Sequence, residues 1–348
     1  MKQTKPPLHP AHRTMPTAPP VPSAAPLTGT RTIPLIGGPA EDVIVDSDGV
    51  HLLVGVDDGG VLQIDPTTGA TRRIADTGGR PLGLLTARDG ALLICDADRG
   101  LLRLDRTTGD LTVLVGQAEA IPLRFCSNVT EEADGTLWIT QSSTRFGFEH
   151  YMGAVLEHRG SGRLLRRDPD GTVHVVLTHV DFPNGIALAP DGQSLFFAET
   201  TGYALARLWI HGPRAGDLER TVTNHPGFPD NLSEFRADSA DSADSADSSG
   251  STGAVRAWFA DAQQRSAPLD LLGRLPGVIA RVVWALPDAL VPQPAGLVQV
   301  TAVDGDGTPV RTVRGTVPGF DNATGAVELD GVLYLASKDH PCLLAVDL

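Results

Sequence analysis

The chain has 348 residues, of which 41% are hydrophobic, with 38 glycines, 27 prolines and a formal net charge of −14. That much glycine and proline indicates many turns and few long helices, which is typical of an all-β domain. The negative charge argues against nucleic-acid and membrane partners, because either would require a basic patch. Three scattered cysteines argue against a disulfide framework or a zinc site, so we expect a cytoplasmic protein.

The first 29 residues are rich in proline and alanine and lack the apolar core that a secretory signal requires. We therefore predict a disordered lead over residues 1–29. The run "LPGVIARVVWALPDAL" comes nearest to a membrane span, but Arg281 and two prolines interrupt it. No membrane-spanning segment is expected.

A unit of two apolar strands joined by an Asp-Gly turn recurs along the rest of the chain. In chain order the units are "EDVIVDSDGVHLLVGV", "LGLLTARDGALLICDA", "SNVTEEADGTLWITQS", "NGIALAPDGQSLFFAE", a less regular one that starts at Asn231, and "TGAVELDGVLYLAS". Further strands follow in several units, and four short antiparallel strands make a propeller blade. We predict one all-β domain over residues 30–348, a six-bladed β-propeller with four-stranded antiparallel blades.

Two segments interrupt this pattern. An Asp/Ser/Ala run over residues 237–252 stands at the turn of the fifth unit, and its composition predicts a flexible, solvated loop. Residues 266–291 indicate a short, mostly helical insertion at one rim. The alternative fold is a β-sandwich or a pair of small β domains, but that loop is the one segment that resembles an interdomain linker.

Oxygen-bearing side chains recur where the first strand of a unit begins. Glu41 and Asn184 each lie seven residues before the aspartate of their turn, and Ser127–Asn128 and Asp230–Asn231 occupy the same place in two other units. First strands line the central channel, so these residues should meet. Oxygen ligands without sulfur or imidazole suit Ca²⁺, or Mg²⁺ or Mn²⁺, rather than zinc. Alternatively, each residue forms only a local Asx-turn.

The chain resembles the strictosidine synthase-like branch of the six-bladed propellers, which includes the gluconolactonase family and, more distantly, the paraoxonases and the squid-type phosphotriesterase. The resemblance covers roughly residues 30–348. Its most specific stretches are "FPNGIALAPDGQSLFFAETTGYALARLWIHGPRAG", "PGFPDNL", "GTLWITQSSTRF" and "VELDGVLYLAS".

The resemblance implies a catalytic divalent ion held by a glutamate, two asparagines and an aspartate. Carried over by motif, three of these fall on Glu41, Asn184 and Asp230. The fourth is predicted at Asn128, although counting from the Asp-Gly turn gives Ser127 instead. A shift of one residue reverses the side-chain direction in a strand, so either Asn128 reaches the ion through a bulge or Ser127 faces it.

The implied activity is metal-dependent hydrolysis of a lactone or small ester, in which the ion activates water. Asp230 is the expected general base and His340 a second proton carrier. The residues predicted to contact the small-molecule substrate are Ser127, Asn231, Phe146 and Phe182. An apolar wall near the channel mouth is predicted from Phe125, Phe146, Phe148, Tyr151, Phe182 and Phe228.

Two other functions compete with hydrolysis. The first is a non-catalytic propeller that binds a ligand or protein and holds a structural ion. The second is the Pictet-Spengler condensation of strictosidine synthase, for which the resemblance implies a glutamate shortly before a strand of the last blade. Thr324 stands at that place, and Glu328 belongs to the strand itself. We therefore expect no condensing activity. As a separate expectation, the protein is predicted to be a monomer.

Overall fold

The computed structural model describes residues 4–21, 23–237, 255–286 and 296–348. Over these residues the chain forms six antiparallel sheets whose innermost strands contact one another in a closed ring. The prediction of a six-bladed β-propeller with four-stranded blades is confirmed. Each of the six sheets is one blade, and the blades are numbered 1 to 6 in the chain order of their innermost strands.

Blades 1 to 3 are built from consecutive strands, with a small hairpin between blades 2 and 3 and one short helix inserted in blade 3. After β1 (Thr30–Pro34), the elements are β2 (Ala40–Val45), β3 (Leu52–Val56), β4 (Gly60–Ile64) and β5 (Thr71–Asp76) in blade 1; β6 (Pro81–Thr86), β7 (Leu92–Asp96), β8 (Gly100–Leu104) and β9 (Leu111–Val115) in blade 2; the hairpin β10 (Gln117–Ala118) and β11 (Ile121–Pro122); and β12 (Cys126–Glu131), β13 (Leu137–Gln141), α1 (Tyr151–Glu157), β14 (Gly162–Arg167) and β15 (Val173–Val180) in blade 3.

Blades 4 to 6 follow the same plan, with two helices inserted in blade 5. The elements are β16 (Pro183–Leu188), β17 (Ser194–Glu199), β18 (Ala204–Trp209) and β19 (Leu218–Val222) in blade 4; β20 (Gly227–Leu232), the short extra strand β21 (Arg236–Ala237), β22 (Val255–Gln264), α2 (Ala267–Leu272), α3 (Gly277–Ala285), β23 (Val298–Asp304) and β24 (Pro309–Gly315) in blade 5; and β25 (Ala323–Leu329), β26 (Val332–Ser337) and β27 (Cys342–Asp347) in blade 6. Three single-turn 3₁₀ helices span Phe148–His150, Thr200–Gly202 and Gly212–Arg214.

The ring is closed because the first strand of the domain pairs with the last one. The outermost strand of blade 6 is β1, which runs antiparallel to β27 with Thr30 opposite Val346 and Pro34 opposite Cys342. Opening the ring at this blade would therefore require breaking a full strand ladder. This closure explains why the domain begins with a strand, β1, that lies before the first repeated unit.

The burial pattern follows from the radial packing of the blades. Inner strands are covered on both faces, and every residue of β17 and β20 is buried. Outer strands alternate between half-buried and exposed positions, as in most of β15. Apolar clusters between neighbouring blades, such as Val54 with Val327 and Tyr334, hold the ring together, at about 1.5–3 kcal/mol for each fully buried side chain.

The Asp-Gly turns that the sequence indicates are present, and their aspartates cap the turns. The carboxylates of Asp48, Asp134 and Asp191 accept the backbone N–H two residues later at 2.8, 2.9 and 2.9 Å. Gly49, for example, adopts a φ of +71°, which a β-carbon would disfavour. Of the loop predicted over residues 237–252, only Ala237 is described, and it lies in β21; the rest falls outside the described residues.

The lead differs from its prediction of disorder, because residues 4–21 lie against the helices. Leu8 and Met15 are buried, and the guanidinium of Arg13 donates two hydrogen bonds of 2.6 Å to the carboxylate of Asp181. The indole of Trp284 in α3 donates to the carbonyl oxygen of Pro6 at 2.9 Å. These contacts cannot be predicted from a proline-rich composition, because a few backbone carbonyl oxygens and two apolar side chains are enough to hold an extended chain in place.

The helices and the lead form one structure above the channel, here called the cap: α1, α2, α3 and residues 4–21. The helical insertion predicted over 266–291 corresponds to α2 and α3, and residues 287–291 lie outside the described residues. The helix α1 has no counterpart among the predictions. None of the helices in the described part of the chain is long and apolar enough to cross a membrane.

A buried ion pair joins blades 1 and 2. Arg106 donates to the carboxylate of Asp46 at 2.6 Å, and the Asp46 side chain is 0% exposed. Burial raises the pKa of Asp46, but the hydrogen bonds from Arg106 and Gln63 outweigh it and hold the pKa below its usual value. The pair therefore stabilises the folded state as long as Asp46 is ionised.

We expect Arg106→Gln to lower the free energy of unfolding by about 2 kcal/mol at pH 7, because it leaves a buried carboxylate without its charged partner. Arg103→Gln is the matched control: its pair with Asp89 is 33% and 59% exposed, so the change should stay below about 0.5 kcal/mol.

The effect should also depend on pH. A carboxyl with a depressed folded-state pKa contributes stability above its unfolded pKa of about 3.9, and this contribution is lost as the pH falls through the folded-state pKa. Urea unfolding at pH 7 and near pH 3 should show the gap between wild type and Arg106→Gln narrowing in acid. A gap of constant size would contradict a role for the ion pair.

Candidate metal centre and substrate pocket

A β-bulge at the start of each inner strand builds the centre of the propeller. The pairing register between first and second strands shifts there in every blade, for example between Cys126 and Val129 and between Pro183 and Ile186. Two residues thus stand side by side at each start. The first residues of these pairs are Glu41, Leu82, Ser127, Asn184, Asp230 and Thr324, and the second residues are Asp42, Gly83, Asn128, Gly185, Asn231 and Gly325.

The first residues of five of these pairs form the floor of a pocket under the cap, with an empty volume of about 660 Å³. Its polar floor consists of Glu41, Ser127, Asn184 and Asp230, and Leu82 completes it. The walls and roof are almost entirely apolar. They are formed by Phe125, Phe148, Tyr151, Met152, Val155, Phe182, Phe228 and Leu269, with Thr200, Ala262, Gln263 and Lys338 at the edge.

Hydrogen bonds link the polar floor residues to one another. The Ser127 hydroxyl donates to Oδ1 of Asn184 at 2.8 Å, and Nδ2 of Asn184 donates to Oδ1 of Asp230. The backbone carbonyl of Glu41 accepts hydrogen bonds from Thr324 Oγ1 at 2.6 Å and from Asn231 Nδ2 at 2.9 Å. These contacts hold the floor residues from four blades in fixed positions.

The two carboxyl groups of the floor carry charge that the surrounding residues compensate only in part when both are ionised. Glu41 and Asp230 are both buried, and Glu41 Oε2 has no hydrogen-bond partner among the described residues. Burial raises the pKa of Asp230 well above its usual range, and the nearby charge of Glu41 raises it further. Burial likewise raises the pKa of Glu41. A bound cation would stabilise both ionised forms.

This donor set fits a hard divalent cation. Two carboxylates, one amide oxygen and one hydroxyl are the ligand types that Ca²⁺ and Mg²⁺ accept. The described residues contain no cluster of three or more His, Cys, Asp or Glu that could hold an ion, and the floor is consistent with this because only two of its donors are carboxylates. An ion here would retain coordination positions for water or substrate.

The bulge in blade 3 decides between Ser127 and Asn128. Ser127 lines the pocket beside Asn184, whereas Asn128 lies behind it, where its amide contacts the backbone at Gly83 and its Oδ1 has no partner among the described residues. The structure thus does not bring Asn128, the predicted fourth ligand, together with the other three. The side chain that joins them is the hydroxyl of Ser127.

Three other predicted site residues lie outside the pocket. His340 stacks on Phe320 with ring centroids 5.6 Å apart, and its Nε2 lies 2.8 Å from Oδ1 of Asp321, so it is not placed as a proton carrier in the channel. Phe146 is buried under the cap against Trp284. Asn231 supports the backbone of Glu41 rather than lining the pocket.

Two of the wall aromatics occupy backbone conformations that a bulky residue rarely adopts. Phe125 and Phe182 precede the inner strands of blades 3 and 4 with φ values of 55° and 57°, and their rings meet edge to face at 5.3 Å. Such a conformation costs about 1–3 kcal/mol. Hydrogen bonds to their carbonyl oxygens from the backbone N–H groups of Ser142 and Thr200, both 3.1 Å, hold it in place.

Among the described residues that line the pocket, none is an acidic residue of the last blade. Thr324 is fully buried, and Glu328 lies within β25, where it accepts a hydrogen bond of 2.9 Å from the indole of Trp258. Lys338, which follows β26, does line the pocket and was not among the predicted residues. Its position directly after a buried strand could have pointed to it, but the histidine two residues later drew the prediction instead.

The fold and the site together define the class of this protein, which is a six-bladed β-propeller with oxygen-bearing side chains on the floor of an otherwise apolar pocket. A model of the strictosidine synthase family matches residues 128–213. The adipocyte plasma membrane-associated protein of Danio rerio is 30% identical over 343 residues, covering 92% of this chain and 76% of that protein. The chain therefore belongs to the strictosidine synthase-like family.

Another relative matches a shorter region. Strictosidine synthase-like protein 13 of Arabidopsis thaliana is 38% identical over 174 residues, and the match spans 43% of its length and 49% of this chain. Two solved structures share the fold. They are a gluconolactonase from Xanthomonas campestris (TM-score 0.59, 18% identity, 99% of this chain and 98% of that chain) and the calcium-binding protein regucalcin from Agrobacterium tumefaciens (TM-score 0.60, 17% identity, 94% and 96%).

We expect Ca²⁺ to raise the melting temperature of the chelator-stripped protein by several degrees, since a ligand at 100 times its Kd stabilises the folded state by about 2.7 kcal/mol. Glu41→Gln should abolish the shift, because it removes the unpartnered carboxylate oxygen. Asp46→Asn alters a buried carboxylate away from the pocket and should keep the shift from a lower baseline. Equal shifts in wild type and Glu41→Gln would place the ion elsewhere. Differential scanning fluorimetry measures all three.

Proposed function

We propose that this protein is a divalent-metal-dependent hydrolase of lactones or small esters. The observation that carries the proposal is the convergence of two buried carboxyl groups, an amide and a hydroxyl on the floor of an otherwise apolar pocket. A carbonyl compound with an apolar body fits such a site, with its reacting group on the floor and its body against the walls. The name of one structural neighbour, a gluconolactonase, supports the same class, and a second neighbour, a luciferin-regenerating enzyme, supports an enzyme more generally.

Glu41, Asn184, Asp230 and Ser127 would hold the ion, with Ca²⁺ as the proposed occupant and Mg²⁺ or Mn²⁺ as alternatives. A bound divalent cation would polarise the substrate carbonyl and lower the pKa of a nearby water. The hydrogen bonds from Ser127 to Asn184 and from Asn184 to Asp230 orient the amide between the hydroxyl and the carboxyl group. The donors therefore do not need to rearrange around each new substrate.

Asp230 is the proposed general base. Burial and the charge of Glu41 raise its pKa in the ion-free protein, and a bound cation would keep the carboxylate ionised, so that it can accept a proton from water. It takes a proton from water while the water oxygen forms a bond to the carbonyl carbon. The bond between the acyl carbon and the alkoxy oxygen then breaks, and the proton passes from Asp230 to the leaving alkoxide. The products are a carboxylic acid and an alcohol, joined in one molecule if the substrate is a lactone.

The apolar walls contribute by excluding water. Phe125, Phe182 and Phe228 stand over the floor, and Tyr151 and Met152 of α1 close it from the cap. A low local dielectric strengthens the interaction of charged groups with the polarised carbonyl. The same walls favour hydrophobic lactones and esters over free sugar acids.

We also propose that the protein acts as a cytoplasmic monomer on a small molecule, without nucleic-acid or membrane partners. The three cysteines, Cys95, Cys126 and Cys342, are all free thiols, which suits a reducing compartment. The net charge of −14 disfavours polyanions.

The proposal predicts that chelator-stripped protein will hydrolyse members of a panel of lactones and aryl esters only after Ca²⁺, Mg²⁺ or Mn²⁺ is added. Asp230→Ala should lower the metal-restored kcat/KM by at least about 100-fold, because it removes both an ion ligand and the base. His340→Ala is the matched control: its ring contacts Asp321 and Phe320 outside the pocket, so activity should remain within about twofold of wild type.

The outcomes separate the competing functions. Metal-dependent stabilisation without turnover on any substrate would favour a binding propeller with a structural ion. Turnover that survives chelation and the Asp230→Ala change would remove the metal-dependent mechanism altogether. Initial rates followed by proton release detect hydrolysis of both substrate classes in one assay.

A further inference from the structure

Lys338 differs in charge from the residues at the equivalent position of the other five blades. In each blade one residue of the second strand pairs with the residue before the bulge of the inner strand, and the position that follows it comes directly after the second strand in five blades and lies within β22 in blade 5. These six equivalent residues are Asp57, Ala97, Ser142, Thr200, Ala262 and Lys338. Lys338 is the one cation among them, and it lines the pocket together with Thr200 and Ala262.

The ammonium group of Lys338 is largely removed from solvent and only partly paired. The side chain is 14% exposed, and Nζ donates to Asp339 Oδ1 at 3.0 Å and Oδ2 at 2.9 Å. Nζ also lies 6.0 Å from the ring centroid of Tyr151 in the pocket wall. An ammonium has three N–H donors, and the described residues use two of them. One donor remains for a ligand.

The surroundings keep Lys338 charged. Burial by itself lowers the pKa of Lys338, but Tyr151, Asp339 and Glu41 raise it, and the net direction is upward. A lysine that acts as a nucleophile needs the opposite shift, because only the neutral amine attacks a carbonyl. Lys338 is therefore suited to bind an anion and not to form a Schiff base.

The negative charges near Lys338 lie on two sides of it, one towards the solvent and the other towards the pocket. Asp339 is 41% exposed and is also held by Asn322, whose Nδ2 donates to it at 3.1 Å, so its carboxylate lies towards the solvent. On the inner side, the negative charges near Lys338 are those of Glu41 and Asp230. A divalent ion on the floor would neutralise these two charges, so that the ammonium, still paired with Asp339, would offer its remaining N–H donor to the pocket.

We propose that Lys338 is the recognition residue for an anionic group of the substrate, so that the preferred substrates are apolar lactones or esters that also carry a carboxylate. This inference rests on the proposed function, because it names the substrate class of the same pocket. One free N–H donor matches one carboxylate oxygen, and Phe125, Phe182 and Phe228 accommodate the apolar body.

The test compares two substrates in initial-rate assays with Ca²⁺: an aryl ester with a free carboxylate on its acyl chain, and the same ester with that carboxylate methylated. Wild type should prefer the anionic substrate. Lys338→Met, which keeps a long apolar side chain, should lower kcat/KM for the anionic substrate by about 10- to 100-fold, mainly through KM, because a charged hydrogen bond is lost. The methylated substrate should change by less than about twofold.

Two further variants serve as controls. Lys338→Arg retains the charge and should recover most of the preference for the anionic substrate. Lys5→Met removes the other lysine in the described part of the chain, which lies at the cap against Trp284, and should leave both rates unchanged. An equal loss on both substrates in Lys338→Met would overturn the proposal in favour of a structural role, and no loss on either would overturn it directly.

A binding measurement separates this proposal from the proposed hydrolase. Decanoate cannot be hydrolysed, and calorimetry should show it binding to Ca²⁺-loaded wild type about 10- to 100-fold more tightly than to Lys338→Met, with decanol binding alike to both. If that difference is found but no ester or lactone is turned over, the hydrolase fails and the role of Lys338 stands. If turnover is found without any carboxylate preference, the hydrolase stands and the role of Lys338 fails.

Discussion

The six inner strands approach the propeller axis so closely that polar side chains and glycines must alternate around it. The second residues at the strand starts are, in order, Asp42, Gly83, Asn128, Gly185, Asn231 and Gly325. A β-carbon on Gly83 would lie 2.4 Å from the amide of Asn128, and one on Gly185 would lie 1.9 Å from the backbone of Leu232. In every second blade this position must therefore be glycine, so that the neighbouring blade has room for a polar side chain at the axis.

This alternation also determines where the functional side chains point. Because the second residue of each pair fills the axis, the bulge turns the first residue up into the pocket, and Glu41, Ser127, Asn184 and Asp230 meet there. The axial residues in turn support the floor: Asp42 accepts the N–H of Leu84 in the next blade at 3.2 Å, and Asn231 donates to the carbonyl of Glu41 at 2.9 Å. The same residues at the axis therefore determine both the packing of the ring and the geometry of the site.

The sequence predicts the features that depend on local patterns and misses those that depend on three-dimensional contacts. Alternating apolar strands and Asp-Gly turns are periodic, so the blade count followed from them. Counting back from the turn located Glu41 and Asn184, and the motif "PGFPDNL" located Asp230. The same count pointed to Ser127, but the family resemblance implies a second asparagine and so favoured Asn128. One sequence does not show which residue of a bulge faces the pocket. The ordered lead and Lys338 depend on contacts between distant segments, such as Arg13 with Asp181, that no periodicity records.

The charged groups of the pocket lie where ionising them without a partner costs the most free energy. Glu41 and Asp230 lie under aromatic walls, and the rise in both pKa values measures the cost of ionising them there. Lys338 relieves part of that cost, since its charge lowers both pKa values, but its own carboxylate partner lies on the solvent side. A structure selected only for stability would replace these three groups with apolar side chains. Their presence together in a pocket with apolar walls is the physical reason for the proposal that the propeller axis binds a cation and an anionic, apolar substrate.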